Sequence, residues 1–442
     1  MRDEVSRESR EDAVLASLTT RRYLLGMVFQ GVWWAGYLLF PFVLAKSLHA
    51  PGALVTLAVT MDTAGMLLAL YWGHLMARRG RRRWLLRGGL GGRLILLLTP
   101  LATTPVAFVA LLAVVHFFGS LVYPAVNGIL QANLPADRRG RVFGQGALIQ
   151  NLTTAAISLA VGALLERDAG LYRAIFPVMG TSGFVYLWIL SRLPRPAGDT
   201  AVDPPAGFAD IFTVPRLPLG PVRWRRLAAA LATPFRQALQ TYREDRAYLW
   251  YEINFMIYGT AFMMLNPVVP LYFTERLDLG YAQITNARVL IASLGVAVLG
   301  PLTGRLMDRF HPVRLCTIAF AVLVLYPAAL ALAGRFSVLS PAAAAYLAFG
   351  VYALGMSGVN VAWHVGSISF APPGQGGYYQ GIHVTMVGVR GVVGPLAGYA
   401  VLRLLGYLEV FVAAAIFFLL ASFSSVFLWR WMKRAADASG EV

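Results

Sequence analysis

The sequence predicts an all-α membrane protein in which twelve transmembrane helices form two pseudo-symmetric six-helix bundles. Of its 442 residues, 58% are hydrophobic and only 13% are charged, whereas an average soluble domain is about 45–50% apolar and about 25% charged. Apolar stretches of about 20 residues, the length that spans a bilayer as a helix, recur along the chain. Basic residues cluster in alternate connections between them. These observations exclude an ordinary soluble enzyme and a disordered chain.

Twelve apolar segments are long enough to cross a membrane. The first residues carry both charge signs and contain no long apolar core, so we expect no cleavable signal peptide and interpret the first segment as a membrane helix. The segments lack the polar faces of soluble helices and the alternating pattern of a β-barrel. Their approximate bounds are 22–46, 52–77, 84–104, 106–133, 141–166, 171–192, 247–273, 282–307, 313–334, 341–370, 378–404 and 407–432.

The distribution of basic residues predicts the topology. A net charge of +17 would suggest nucleic-acid binding in a soluble protein. Here the basic residues lie in connections that follow even-numbered segments, such as 78–83 and 138–141, whereas other connections carry isolated ones such as Lys46 and Arg167. Because basic residues accumulate on the cytoplasmic side, we expect both termini in the cytoplasm of a bacterial cell and the chain in its inner membrane. The predicted partner is therefore the lipid bilayer and not nucleic acid.

The longest connection divides the chain into two halves. Its start is rich in proline, which is typical of an extended linker. Near its end, Phe235, Leu239 and Tyr242 recur at helical spacing, which predicts an amphipathic helix on the membrane surface. The expected organisation is an N-terminal tail at 1–21, a six-helix bundle at 22–192, a cytoplasmic linker at 193–246, a second bundle at 247–433 and a tail at 434–442.

Two connections repeat one motif. After segment 2 the sequence reads Gly-x-Leu-Met-x-Arg from Gly73 to Arg78, and after segment 8 it reads the same from Gly304 to Arg309. Segments 5 and 11 both open with Gln-Gly. Because these similarities occur in the same order within a six-plus-six layout, they indicate an internal duplication.

The repeated motif and the six-plus-six layout resemble the major facilitator superfamily of secondary transporters. In that family the connection after helix 2 reads Gly-x-Leu-Ala-Asp-Arg-x-Gly-Arg-Arg-Lys/Arg, and a degenerate copy follows helix 8. The resemblance extends from Tyr23 to about Lys433 and implies a gating role for the motif. The matching residues are Gly73, Leu75, Arg78, Gly80, Arg81, Arg82 and Arg83 in the first copy and Gly304, Leu306, Asp308 and Arg309 in the second.

One position departs from the family motif. Ala77 stands where the family has an aspartate. In the family that carboxylate lies near the start of helix 11, where the helix dipole favours negative charge, and helps to latch the halves together. We expect a latch that is weaker or that relies on Asp308. The alternative is that the arginines of this connection mainly set the topology.

The resemblance implies a substrate cavity near the middle of the membrane, lined by helices 1, 4, 7 and 10, around which the two halves rock. The aromatic and amide residues of these helices suit an amphipathic organic solute better than an inorganic ion. Alternatively, the aromatic residues mark helix packing or the membrane interface. The candidate cavity residues are Gln30, Trp33, Trp34, Tyr37, His116, Tyr123, Asn127, Tyr258, Asn266, Tyr352, Asn360, Trp363 and His364.

Four ionisable residues within the segments are candidates for coupling or for charge contacts between the halves. Asp62 lies about 15 Å along helix 2 at about 1.5 Å per residue, and Arg390 lies at a similar depth in helix 11. We expect these two to pair in one conformational state and to separate in another, with a static structural pair as the alternative. Glu252 is a second candidate proton site. Arg288 is expected to extend towards the outer interface.

The leading functional prediction is a secondary active transporter that moves a small organic solute by alternating access and is coupled to protons. Efflux of lipophilic drugs, with Asp62 as the essential acid, competes with transport of an organic anion or neutral metabolite held by Arg390 or Arg288. The sequence has no metal-ligand spacing and no phosphate-binding Gly-Lys-Ser/Thr loop, so no metal, cofactor or ATP-driven step is expected. A membrane enzyme and a non-transporting sensor are more remote alternatives, and the resemblance implies a monomer.

Overall fold

The computed structural model describes residues 2–68, 72, 81–194, 232, 235–236, 238–333, 339–372 and 376–439. All secondary structure within these ranges is helical, so the predicted all-α fold class is confirmed. The predicted motif at 73–80 and most of the predicted linker at 193–246 lie outside the described residues.

Six helices, numbered α1 to α6, make up the N-terminal half, and six more, α7 to α12, make up the C-terminal half. The first six are α1 (Arg2–Tyr37, continued by Phe40–Phe42 and a π-helical turn at Val43–Ser47), α2 (Gly52–Ala64, continued by Gly65–Leu68), α3 (Arg81–Gly92, continued by Leu94–Leu101), α4 (Pro105–Gly119 and Val122–Asn133), α5 (Ala136–Arg167) and α6 (Tyr172–Ser191). The others are α7 (Arg246–Glu275), α8 (Tyr281–Thr285, a π-helical turn at Asn286–Ile291, and Ala292–Arg309), α9 (Pro312–Ala333), α10 (Pro341–Val365), α11 (Gly376–Leu404) and α12 (Tyr407–Ser439).

Within the described ranges, nine helices are long and apolar enough to cross a membrane. The other three predicted spans, which correspond to α2, α3 and α4, have shorter described helices than predicted, for local reasons. Helix α2 is described only as far as Leu68. Helix α3 breaks at Arg93, where φ is −133°, and α4 is interrupted between Gly119 and Val122. These breaks shorten the apolar helices without changing the order of the predicted segments.

Helix α1 begins well before the predicted span. The residues of the predicted tail are helical from Arg2 because no glycine or proline occurs before Gly26. At the end of α4, Asn133 Nδ2 donates hydrogen bonds of 3.1 Å to Thr19 Oγ1 in α1 and to the carbonyl of Pro194 after α6. The start of α1 and the ends of α4 and α6 therefore lie on one face of the molecule, which we call the termini face.

The end of α1, the connection after α5 and the start of α8 meet on the other side, which we call the opposite face. The Ser47 hydroxyl donates to the carbonyl of Ala169 at 3.1 Å and also hydrogen bonds to the Tyr281 hydroxyl. Lys46 Nζ lies 3.8 Å from Asp278 Oδ1. These contacts join the two halves at the opposite face.

Two helix pairs carry most of the packing between the halves, α2 against α11 and α5 against α8. The α2–α11 pair is close because Gly391 leaves no room for a Cβ beside Thr63, and the Thr63 hydroxyl donates to the Gly391 carbonyl at 2.6 Å. The larger apolar core contains residues of both halves. A smaller cluster around Tyr23, Leu130 and Tyr186 stays within the N-terminal half, near the termini face.

Candidate substrate and proton site

A cavity of about 190 Å³ lies between the two halves. Helices α1 and α2 contribute its N-terminal wall, and α7 to α10 contribute its C-terminal wall. The structure brings six of the predicted site residues to this cavity: Trp34, Tyr37, Asp62, Asn266, Arg288 and Tyr352. The sequence analysis did not single out several of its aromatic wall residues, which include Phe40, Phe262, Tyr326 and Phe349.

The N-terminal wall holds a carboxylate in a hydrogen-bonded group of three side chains. The Tyr37 hydroxyl donates to Asp62 Oδ1 and lies 3.0 Å from His116 Nδ1. His116 Nδ1 is also 3.4 Å from Asp62 Oδ1. The Asp62 side chain is 37% exposed, whereas that of His116 is 1% exposed. Asp62 therefore faces the cavity, and the buried His116 contacts it on the side away from the cavity.

The C-terminal wall holds a guanidinium group. Arg288 lies over two aromatic rings of α10, with its Cζ 5.8 Å from the ring centre of Phe349 and 5.7 Å from that of Tyr352. Among the described residues no carboxylate lies within ion-pair distance of Arg288. Arg288 lines the cavity, and its expected extension towards the outer interface stays a prediction. Its position lies in the π-helical turn of α8, which shifts the side-chain register relative to a regular helix.

Arg390 does not line the cavity. Its side chain is buried between α11 and α7, where it donates to the carbonyl of Phe255 and lies 5.8 Å from the ring centre of Tyr258. Gly259 gives the guanidinium room to lie against α7. In this conformational state no ion pair joins Arg390 to Asp62, although both side chains are described. The expected pairing in another state stays a prediction.

A second carboxylate–histidine pair is buried in the C-terminal half. His383 Nδ1 lies 2.7 Å from Glu252 Oε1, and the two side chains are 0% and 3% exposed. The His383 ring packs against Phe255 and Trp363, with ring centres 4.9 and 5.8 Å away. Glu252 Oε2 and His383 Nε2 are buried and form no hydrogen bond with described residues. The pair connects α7 to α11 and is not part of the cavity wall.

Three predicted cavity residues each pack within their own half instead of lining the cavity. Trp33 lies under the guanidinium of Arg93, whose Cζ is 3.6 Å from the ring centre. The ring of Tyr258 stacks on Phe320 with centres 4.7 Å apart. Gln30 is buried in α1, and its Oε1 accepts no hydrogen bond from the described residues. For the two aromatic residues the structure favours helix packing, the alternative given above.

The other predicted cavity residues lie further along α4 and α10. Asn360 is exposed, and Trp363 contacts His383. The side chains of Tyr123, Asn127 and His364 lie outside the described part of the structure.

Most of the predicted gating motif also lies outside the described residues. Arg82 and Arg309 are exposed. A Cβ placed on Gly304 would meet no atom of the described residues within 4 Å. Outside the described part are Gly73, Arg78, Gly80 and the side chains of Arg81 and Asp308.

The sequence analysis missed the contact that caps α8. Glu166, near the end of α5, accepts a hydrogen bond of 3.2 Å from the backbone N–H of Ala282, in the first turn of α8. Residues 166 and 282 are far apart in sequence and neither belongs to a recognisable motif, so only the fold brings them together. A carboxylate at a helix N-terminus is favourable because it complements the helix dipole.

The described residues contain no group of three or more His, Cys, Asp and Glu side chains that would hold a metal ion. What the cavity offers instead is one carboxylate, one guanidinium and aromatic walls. This arrangement suits reversible binding of a polar organic molecule and exchange of a proton.

Comparison with known proteins agrees with this architecture. The family profile of the Major Facilitator Superfamily matches residues 23–395. The multidrug resistance protein MdtG of Erwinia billingiae is 28% identical over 379 residues, which cover 84% of this chain and 81% of that protein. The MdtG protein of Serratia proteamaculans is 28% identical over 263 residues, and this match spans only 56% of its length.

Solved structures of transporters share the fold. A POT family transporter in complex with a thioalcohol-conjugated peptide has a TM-score of 0.70 at 12% identity, with 96% of each chain covered. The human organic anion transporter MFSD10 has a TM-score of 0.62 at 16% identity, with 93% of this chain and 99% of that chain covered. The family match over most of the sequence, together with this fold, places the chain in the Major Facilitator Superfamily, as an integral membrane transporter of small-molecule solutes and not an enzyme.

Proposed function

We propose that this protein is a proton-coupled antiporter that exports a small organic solute across the bacterial inner membrane by alternating access. The observation that carries the proposal is the position of Asp62, a carboxylate exposed to the cavity between the halves and held by Tyr37 and His116. Ionisable groups inside a membrane are costly and usually serve transport. The multidrug resistance proteins named above, which are similar over much of the chain, support export as the direction.

The chemistry of Asp62 explains how a proton drives the cycle. In the ionised state the carboxylate accepts the hydrogen bond from Tyr37 and attracts a cationic group of the solute. When Asp62 takes up a proton, its negative charge is lost and a bound cation loses its counter-charge, which is costly in a low-dielectric cavity. The solute then leaves, and the protonated carrier returns to the other state. Export and proton uptake therefore alternate at one carboxylate.

The contacts between α5 and α8 support assigning this structure to the cytoplasm-facing state. Near the opposite face, a Cβ on Gly162 of α5 would lie 2.7 Å from Thr285 Oγ1 of α8, so the helices touch. Towards the termini face, no atom of the described residues lies within 4 Å of a Cβ placed on Gly144 of α5 or on Gly304 of α8. With the termini in the cytoplasm, as the basic connections favour, the opposite face is external and closed.

The proposal is tested by measuring uptake of benzyltrimethylammonium, a small permanent cation, into proteoliposomes that carry an imposed pH gradient. We expect the wild type to accumulate this cation when the gradient is present and Asp62→Asn to lose the accumulation. Asp62→Asn should keep the melting temperature of the wild type, which separates this loss from a loss of the fold. Asp437→Asn, an exposed acid near the end of α12, is the matched control. Gradient-driven accumulation by Asp62→Asn at the wild-type rate would contradict the proposal.

A further inference from the structure

Two side chains of opposite charge face the same cavity from different halves. Asp62 belongs to α2 in the N-terminal half, and Arg288 belongs to α8 in the C-terminal half. Among the described residues no ion pair joins them. Each wall therefore presents one charged group, and neither charge is neutralised by the other.

Arg288 is the guanidinium that is available to a solute. Arg390 is fully enclosed and already donates to a backbone carbonyl, so an anion entering the cavity does not reach it. Within the described part of the chain Arg288 contacts two aromatic rings, and such contacts are worth only about 0.5–2 kcal/mol. A carboxylate makes a stronger, bidentate partner for a guanidinium, so an anionic group of the solute that binds Arg288 would replace only these weaker ring contacts.

We propose that the solute is a small zwitterion whose ammonium group binds Asp62 and whose carboxylate binds Arg288. This inference rests on the proposed transport function and names the class of its substrate. Trp34, Phe262 and Tyr352 line the same cavity and would hold an apolar or aromatic side chain of this zwitterion. The cavity volume of about 190 Å³ is below the roughly 300–1,000 Å³ of drug-sized sites, which favours a solute of amino-acid size.

A zwitterion also satisfies what the cycle requires. Its ammonium group and the coupling proton bind the same carboxylate, so they exclude each other, as antiport demands. Its two charges contact both halves, so binding stabilises a state in which the halves are close. A solute with one charge would leave either Asp62 or Arg288 without a counter-charge in a site that is largely removed from water.

The test compares three probes that share one aromatic body. L-phenylalanine carries both charges, 2-phenylethylamine carries only the ammonium group, and 3-phenylpropionate carries only the carboxylate. Dissociation constants are measured by calorimetry on the detergent-purified full chain. We expect L-phenylalanine to bind about tenfold more tightly than either analogue, since each charged hydrogen bond contributes about one factor of ten.

Variants assign each charge to its partner. In Arg288→Gln, L-phenylalanine should bind no better than 2-phenylethylamine, and in Asp62→Asn no better than 3-phenylpropionate. Arg288→Lys keeps the positive charge and should retain part of the preference, which separates loss of the contact from loss of the fold. Arg305→Gln is the matched control because Arg305 is an exposed residue of the same helix. This variant should bind all three probes as the wild type does.

The outcomes separate this inference from the proposed function. The inference is wrong if L-phenylalanine binds no more tightly than both analogues, if none of the probes binds, or if Arg288→Gln leaves the preference unchanged. Proton-driven accumulation of benzyltrimethylammonium that still depends on Asp62 would then leave the antiport function standing. If that dependence is absent while the preference for L-phenylalanine is found, the substrate class stands and the coupling mechanism fails.

Discussion

The two halves each contain a carboxylate paired with a histidine, but the two pairs differ in their surroundings. Asp62 and His116 lie 3.4 Å apart, and Asp62 is 37% exposed to the cavity. Glu252 and His383 lie 2.7 Å apart, and Glu252 is only 3% exposed. The same two functional groups therefore serve different purposes. The exposed pair faces the cavity, where the mechanism that we propose assigns it the coupling proton, whereas the enclosed pair joins α7 to α11.

The largest expected effect separates the two pairs by function. Asp62→Asn should reduce proton-driven accumulation of benzyltrimethylammonium to the level of empty liposomes, because the amide cannot take up the coupling proton. It should change the melting temperature little, since Asp62 is partly exposed. Transport is measured in proteoliposomes and stability in detergent. The comparison of the pairs would be wrong if Asp62→Asn unfolded the protein while Glu252→Gln abolished coupling.

The second prediction concerns the stability of the buried pair. Glu252→Ala should lower the free energy of unfolding by about 3–5 kcal/mol, since it leaves a buried partner uncompensated. The double variant with His383→Leu should recover much of that loss, because no unpaired polar group then remains. Denaturant titration of the detergent-solubilised protein measures both. An unchanged stability of Glu252→Ala would show that this pair does not hold α7 and α11 together.

The third prediction concerns Tyr37, whose hydroxyl donates to Asp62. Tyr37→Phe removes the hydroxyl that donates to Asp62 but keeps the ring against Trp33 and Trp34. A hydrogen bond to a charged group is worth about 1.5–3 kcal/mol, so the proton-coupled rate should fall at least about tenfold. The matched control is Tyr407→Phe, because the Tyr407 hydroxyl also donates to a carboxylate, that of Glu275, and this pair does not line the cavity.

A fall in the proton-coupled rate of equal size in both variants would mean that the loss reflects general destabilisation. A fall in Tyr37→Phe alone would assign the hydroxyl to the coupling group. The melting temperatures of the two variants, measured under the same conditions, complete this comparison.

The fold could be predicted from the sequence because the hydropathy of the segments and the basic residues of the connections form patterns along the chain. Asp62 and Arg288 were also identifiable, since a charge within an apolar segment is conspicuous. The groups around them were not, because Tyr37, Asp62 and His116 come from three helices and no local spacing relates them. Trp33 and Trp34 illustrate the limit, since adjacent helix residues point about 100° apart, as about 3.6 residues make one turn, and only Trp34 lines the cavity.

The buried pair shows the same limit. Residues 252 and 383 each lie in an apolar segment, but their contact depends on the parallel packing of α7 and α11. Hydropathy identifies both helices and says nothing about which faces meet. The contact of Arg288 with the cavity could not be predicted for a related reason, since a π-helical turn changes the side-chain direction without leaving a sequence pattern that we recognised.

The smallest expected effect concerns which face of the membrane the exposed pair can reach. Glu166 caps the start of α8 across the two halves at the opposite face. Glu166→Gln removes the charge that favours a helix N-terminus, an effect worth about 0.3–1 kcal/mol. The population open to the opposite face should therefore rise about twofold to fivefold. The readout is the rate at which a membrane-impermeant maleimide labels a cysteine placed at the cavity residue Asn266, in a Cys316→Ala background.

Asp168→Asn is the control for this measurement, because Asp168 is an exposed acid at the same face whose carboxylate accepts from Gly170 within its own half. Equal labelling rates in the wild type and in Glu166→Gln would show that this contact does not hold the opposite face closed. An equal increase in both variants would attribute the effect to surface charge. Faster labelling in Glu166→Gln alone would mean that the cap regulates the access of Asp62 to the opposite face of the membrane. The buried Glu252–His383 pair does not line the cavity, so this cap would not change its access to either face.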